Sequence, residues 1–256
     1  MKKKLTIQHL KNFFLKIEVH PITLIYFLLA LIGGYLKWYL STLAIVCFHE
    51  LCHLMMAYYF HFEIDKIEIL PFGAYLSLDD FFYHPIIHEI CVVLAGPCSH
   101  LFLYFFIETF INGVYQDYLL MMNMFVFGFN LVPIYPMDGG RLMSLLLQRL
   151  MDLKRALELS LKISVFSFCV LSICYLKINT LVIIGYLFVQ QITYWKAIPT
   201  MLRQYYSHIP SLYERKKIIL NQKFIYRRDY HNYYQRQEGM VDEKDMVYEL
   251  LLSVKK

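Results

Sequence analysis

In this chain of 256 residues, hydrophobic side chains make up 58% and charged ones 18%, whereas a usual soluble domain carries about 25% charged residues. A net charge of +5 would suggest nucleic acid in a soluble protein, but no tract reads as a nucleic-acid code, and the basic residues fit membrane topology better. Composition therefore excludes an ordinary soluble domain and favours an α-helical polytopic membrane protein dominated by a single membrane domain.

The chain opens on Met1-Lys2-Lys3-Lys4 and a stretch from Leu5 to Lys16. No apolar core with a small-residue cleavage site follows at once, so residues 1–20 read as a cytoplasmic, basic interfacial segment and not as a cleaved signal. Six apolar segments follow, Pro21 to Leu36, Trp38 to Phe60, Pro85 to Ile111, Tyr118 to Ile134, Leu161 to Leu176 and Ile178 to Trp195. Several fall short of the roughly 20 residues that cross a bilayer upright, which leaves room for tilted or re-entrant spans. With a cytoplasmic N-terminus, only Lys37 and Lys177 of the 25 Lys and Arg residues lie outside. That is the positive-inside pattern, and it places both termini in the cytosol. Residues 21–197 make up the transmembrane domain and 198–256 a cytoplasmic tail.

Within the second segment stand His49-Glu50-Leu51-Cys52-His53, an HExxH pattern. Histidines at i and i+4 share one helical face, so their ring nitrogens converge on one ion. Glu50 lies about 100° round the helix from His49, within reach of a water on that ion as general base. Ionisable groups cost about 2.5 to 3.5 kcal/mol at a helix centre in the bilayer, so they are seldom there without a task. A helix whose polar groups only bond to neighbouring helices is the alternative.

A later apolar segment closes on Asn130-Leu131-Val132-Pro133-Ile134-Tyr135-Pro136-Met137-Asp138-Gly139-Gly140-Arg141. Two prolines break the helix there, and broken backbone at membrane depth needs protein or a polar cavity around it. Asp138 is the candidate third ligand of a His2Asp site with an open fourth position, the arrangement of catalytic zinc. Capping of the helix that begins near Gly139 is the other use of this aspartate.

Taken together, these residues resemble the site-2 protease family of intramembrane zinc metalloproteases. The match is His49, Glu50 and His53 on one helix, then Asn130, Pro133, Pro136 and Asp138-Gly139 on a later one, with Pro71-Phe72-Gly73-Ala74 and Ala95-Gly96-Pro97 between them. The compact plan, without room for an inserted PDZ domain, looks most like the sporulation branch. The resemblance implies Zn2+ as cofactor, metal ligands His49, His53 and Asp138, catalytic Glu50, and substrate contacts at Asn130, Pro133, Gly73 and Ala74. It implies a multi-pass protein of the bacterial cell membrane acting on a membrane-associated protein precursor, with membrane inhibitory partners and no direct nucleic acid. In the sporulation branch that precursor is a pro-sigma factor; a general site-2 protease would clip anti-sigma factors or signal-peptide remnants. A non-proteolytic metal-binding scaffold and a metal transporter are the competing classes, although a transporter usually repeats such sites between inverted halves and only one cluster is found here.

Between the second and third segments, Ile64, Ile67 and Ile69 alternate with polar residues before Pro71, and Ala74-Tyr75-Leu76-Ser77-Leu78 follows. This predicts a small cytoplasmic β-hairpin, either a plain cover for the membrane domain or an edge that holds an unwound substrate by strand addition. His88 and Glu89 are expected at a hydrated interface. His100 stands where many relatives carry asparagine, and is either a core histidine or a partner of the metal ligands. Six cysteines, all in apolar segments, read as packing residues.

The tail is rich in tyrosine and basic residues, among them Tyr205, Tyr206, Arg215, Tyr226, Arg227, Arg228 and Tyr234, which suits a membrane surface or a protein partner. Sporulation-branch relatives carry a nucleotide-responsive CBS domain here. This tail looks too short and polar for one, so nucleotide control is not carried over. Asp242 to Val254 predicts a short amphipathic helix with Met246, Leu250 and Val254 in one stripe.

Overall fold

The structure, a computed structural model, describes residues 17–19, 21–70, 73–78, 80–174, 181–221, 225–237 and 239–254. The interfacial stretch expected up to Lys16, and Lys177, expected on the outer side, lie outside them. The chain divides into two compact units, one formed by the residues up to Phe81 with Cys91–Phe129, the other by Phe82–Ile90 with the residues from Asn130 on.

The first unit contains α1 (Pro21–Ile32), α2 (Leu36–Tyr59), most of α3 (Ile86–Phe110) and most of α4 (Val114–Leu131). Helix α1 stops four residues before the expected end of the first apolar segment, because Gly34 takes φ 73° and a left-handed residue terminates a helix. Helices α2 and α4 are pinned where Thr42 and Tyr118 share a hydroxyl hydrogen bond of 2.8 Å and Trp38 stacks edge-on against Tyr118 at 4.5 Å. Below that clasp Ile45, Ile107 and Leu119 form an apolar cluster joining α2, α3 and α4.

A three-stranded sheet of order β1-β2-β3 completes this unit. Strands β2 (Ile64–Leu70) and β3 (Gly73–Leu78) form the predicted antiparallel hairpin, with a register shift between Ile64 and Lys66. Strand β1 (Ile17–Val19), inside the segment read as interfacial, pairs in parallel with β2 through Ile17 and Ile67. Among the described residues β3 is an edge. Leu78 at its end packs on Ala57 of α2 and Val92 of α3, so the hairpin lies beside the helix that carries the two histidines.

The second unit contains α5 (Asp138–Leu150), α6 (Leu153–Cys174) and α7 (Leu181–His208). Helix α7 runs well beyond Trp195, where the last apolar segment was expected to end, because Ile198, Leu202, Tyr205 and Tyr206 continue its buried face at helical spacing. A 3-10 turn, Ile209–Ser211, leads into a second sheet of order β4-β5-β6, built from Lys217–Asn221, Tyr230–Arg236 and Gly239–Asp242, and then into α8 (Val247–Ser253). The expected C-terminal helix is thus shorter, Asp242 ending β6 and residues 243–246 forming a turn, but Met246 and Leu250 are buried as the stripe predicts.

The tail differs most from expectation. Tyr205, Tyr206, Tyr226 and Tyr234 are core residues with Leu153 and Leu157 and not a surface array. Burial, reinforced by neighbouring tyrosines, pushes the phenols of Tyr226 and Tyr234 well above their ordinary range. Arg228, also expected outside, is buried and forms a two-pronged ion pair with Glu89, one prong being Nη1 to Oε2 at 3.1 Å. Nη1 also donates to Gln148 Oε1 at 2.6 Å, and Nη2 to the carbonyls of Phe82 and His84, each at 3.0 Å. Glu89 is therefore a fully buried ion-pair partner, not the hydrated interfacial group its position suggested. A second buried pair, Arg215 with Glu243, closes the sheet, Glu243 accepting the Asn232 backbone N–H at 2.9 Å.

Among the described residues three helices, α2, α3 and α6, are long and apolar enough to cross a membrane, and the apolar stretch Thr23–Ile32 of α1 is shorter. Large side chains such as Phe105, Phe166 and Ile173 face outward, as a lipid-facing surface requires and an aqueous one disfavours.

Candidate metal centre

Helix α2 brings His49 and His53 together through the i, i+4 relation, one turn apart on its buried face. Their Nε2 atoms lie 3.0 Å apart. Two nitrogens bound tetrahedrally to one zinc at about 2.0–2.1 Å stand about 3.4 Å from each other, so small rotations of the rings seat an ion between them.

The protonation of His53 follows from its neighbour. Its Nδ1 is 2.7 Å from the Val92 carbonyl, which can only accept, so Nδ1 carries the hydrogen and Nε2 of the neutral ring presents a lone pair. That lone pair faces His49 Nε2. A ligand nitrogen held this way is suited to a cation, and the donor set of imidazoles on an HExxH helix suits zinc. Glu50, on the same turn, is half-buried.

Helix α3 supplies the other wall. A Cβ placed on Gly96 would lie 2.1 Å from His53 Nε2 and 2.6 Å from His49 Cε1, so the absence of a side chain there makes room for the two imidazole rings. Pro97 follows within the helix, and Ser99 Oγ donates to the Gly96 carbonyl at 2.6 Å. His100 lies on the same helix, its Nε2 3.0 Å from His49 Nδ1, and its Nδ1 2.7 Å from Asn123 Oδ1 of α4. His100 is thus a partner of a candidate ligand, and Asn123, with no expectation attached to it, is its support.

In the second unit Asn130, next to last in α4, and Pro133 in the break after it are half-buried, and Asp138 is the buried first residue of α5, with Met137 as the N-cap. The helix restarts hard against its own approach: a Cβ on Gly139 would fall 2.2 Å from the Leu131 carbonyl oxygen, and one on Gly140 2.6 Å from the Ile134 carbonyl carbon. The intervening backbone is satisfied by side chains. Ser164 of α6 accepts the Tyr135 N–H at 2.8 Å and donates to Gln191 Oε1 of α7 at 2.6 Å, while Gln191 Nε2 donates to the Tyr135 carbonyl at 2.7 Å. Tyr135 also stacks on Tyr194 at 4.2 Å. This closed ring of donors and acceptors lets irregular backbone persist at membrane depth. The signal for it in the sequence was two polar residues, Ser164 and Gln191, inside apolar runs.

Gly73 and Ala74, expected to meet substrate, begin β3 and pair with Leu70 and Ile69. Pro71 and Phe72 lie outside the described residues.

Fold and site together define a helical membrane protein with a histidine pair prepared for a metal ion. Residues 38–116 match the sequence pattern of Peptidase family M50. The chain is 32% identical over 212 residues to Stage IV sporulation protein FB of Bacillus subtilis (strain 168), a match covering 78% of this chain and 71% of that protein. It is 33% identical over 149 residues to Zinc metalloprotease MJ0392 of Methanocaldococcus jannaschii, across 52% of this chain and 43% of that one. In fold it is similar to the Site-2 Protease from Methanocaldococcus jannaschii, with a TM-score of 0.51 and 23% identity over 69% of this chain and 89% of that chain. The chain belongs to peptidase family M50, the site-2 proteases.

Proposed function

We propose that this protein is an intramembrane zinc metalloendopeptidase that cuts a membrane-associated protein in regulated proteolysis. The observation that carries the proposal is the pair of Nε2 atoms of His49 and His53, buried and 3.0 Å apart on an HExxH helix. Asp138 is proposed as the third ligand: it is a buried carboxylate at a helix restart, and it would leave a fourth position open, as catalytic zinc sites do. A zinc ion held by His49, His53 and Asp138 would acidify a water and polarise the substrate carbonyl. Glu50 would take a proton from that water as the water oxygen bonds to the carbonyl carbon, and return it to the nitrogen released as the C–N bond breaks. Asn130 and Pro133 border the break that Asp138 follows, and their proposed part is to contact the substrate near the scissile bond.

A peptide in a helix hides its carbonyls, so substrate must be unwound before it can react. The edge of β3, which pairs with no further strand among the described residues and begins at Gly73 and Ala74, suits an extended substrate added as a strand. The membrane domain is proposed to span residues 21–197 with about six crossings and both termini in the cytosol, α7 continuing unbroken into the tail of 198–256. Similarity to a sporulation protein over most of both chains supports a pro-sigma factor as the substrate and membrane proteins as its inhibitors.

Co-expression of the wild type and Glu50→Gln with a tagged pro-sigma factor tests both levels. Cleavage by the wild type only, with zinc bound to both, is expected. Zinc in both with the pro-sigma factor intact and an anti-sigma factor cut would keep the protease and discard the sporulation substrate.

A further inference from the structure

We propose that His100 and Asn123 fix the tautomer and ring orientation of His49, and so act as positioning residues for the metal centre. The inference rests on His49 being a zinc ligand.

The chain of hydrogens can be read from the one group that has no choice. The His100 backbone carbonyl only accepts, so the group 3.0 Å from it is the Asn123 amide nitrogen, donating. The amide oxygen of Asn123 therefore faces His100 Nδ1 at 2.7 Å, and an oxygen there requires the hydrogen on Nδ1. In the neutral ring His100 Nε2 then offers its lone pair to His49 Nδ1 at 3.0 Å. His49 carries its hydrogen on Nδ1, which leaves Nε2 as a lone pair, aimed at the same place as that of His53. The other tautomer of His49 would put a hydrogen on the ligand atom.

All three residues are buried, His49 at 1%, His100 at 2% and Asn123 at 0% exposure, so water does not compete for these bonds. Metal-bound histidines usually have this second nitrogen held by a carbonyl or carboxylate. His53 follows that habit through Val92, whereas His49 is held by a neutral imidazole that is itself held by an amide. The relay orients His49 as a carboxylate would but adds no negative charge. Two neutral imidazoles and one carboxylate would leave the centre with a charge of about +1, which favours an acidified water.

The test is zinc affinity of the purified full-length protein, measured by competition with a chelator, together with the visible spectrum of its cobalt-loaded form. His100→Leu and Asn123→Leu should each weaken zinc binding by about 10- to 100-fold and shift the cobalt spectrum. His100→Gln should recover most of the loss, because its Oε1 can accept from His49 Nδ1–H while its Nε2 donates to Asn123. Binding within about twofold of wild type in His100→Leu, with an unchanged cobalt spectrum, would overturn the inference. If His100→Leu does not fold, wild-type affinity in Asn123→Leu overturns it equally. Absence of zinc from the wild type, or undiminished affinity in His49→Ala, would instead remove the metal assignment beneath it.

Discussion

Gly96 of α3 meets His53 of α2 so closely that a Cβ on the glycine would lie 2.1 Å from the histidine Nε2. Two helices approach with an imidazole and no side chain between them, at the atom proposed to hold the metal.

Gly96→Ala should therefore separate metal binding from stability. Alanine is the better helix former by about 0.5–1 kcal/mol, so α3 itself gains. The methyl group, however, occupies the space of the His53 Nε2 and displaces that ring. Expected outcomes are at least tenfold weaker zinc binding and lost cleavage, with thermal stability of the zinc-free protein within about 1 kcal/mol of wild type. Zinc titration and melting of the purified variant check both.

Gln191→Leu should loosen the backbone that precedes Asp138. It strips the Tyr135 carbonyl of its donor and Ser164 Oγ of its acceptor, and an unsatisfied buried polar group costs about 1–3 kcal/mol. Cleavage should fall in the folded variant, and Ser164→Ala should act in the same direction, since it exposes the Tyr135 N–H. Double-mutant stability measurements should give less than the sum of the two losses, because both break one ring of bonds.

The Arg228–Glu89 pair makes a stronger prediction. Removing one partner of a fully buried pair costs about 3–5 kcal/mol, because the other charge is stranded. Arg228→Leu should therefore destabilise the second unit by about that amount, whereas Arg228→Leu combined with Glu89→Leu should recover much of it. Protease susceptibility of the tail, followed against denaturant, measures the difference.

Proline substitutions along Ala74 to Leu78 test the edge of β3. Proline removes a backbone donor from an edge strand, so substrate pairing weakens while His49 and His53 are untouched. Cleavage should drop with zinc content unchanged; equal cleavage in every such variant would leave the hairpin as a plain structural cover.

What could be seen in the sequence was whatever repeats at short range. His49 and His53 are one helical turn apart, the isoleucines at 64, 67 and 69 fit a strand, and Pro133 with Pro136 break a helix, so each element was legible without knowing its neighbours. The tail was not legible. Arg228 looks like a solvated cation until Glu89, 139 residues away, is placed against it, and Tyr226 looks interfacial until Tyr205 and Tyr206 surround it. His100 was ambiguous for the same reason, since its partners come from α2 and α4 and no spacing along α3 announces them. The first span ended early because Gly34 adopts a left-handed backbone, which hydropathy does not register.

Zinc-edge X-ray absorption on the purified Glu50→Gln protein, with zinc counted per chain, bears most directly on the metalloprotease assignment. One zinc per chain is expected, with two imidazole nitrogens and oxygen ligands at about 2.0–2.2 Å, and Asp138→Ala should bind it at least tenfold more weakly. A protein that binds no zinc, or one whose zinc shell and affinity are the same in Asp138→Ala, would contradict the His2Asp centre.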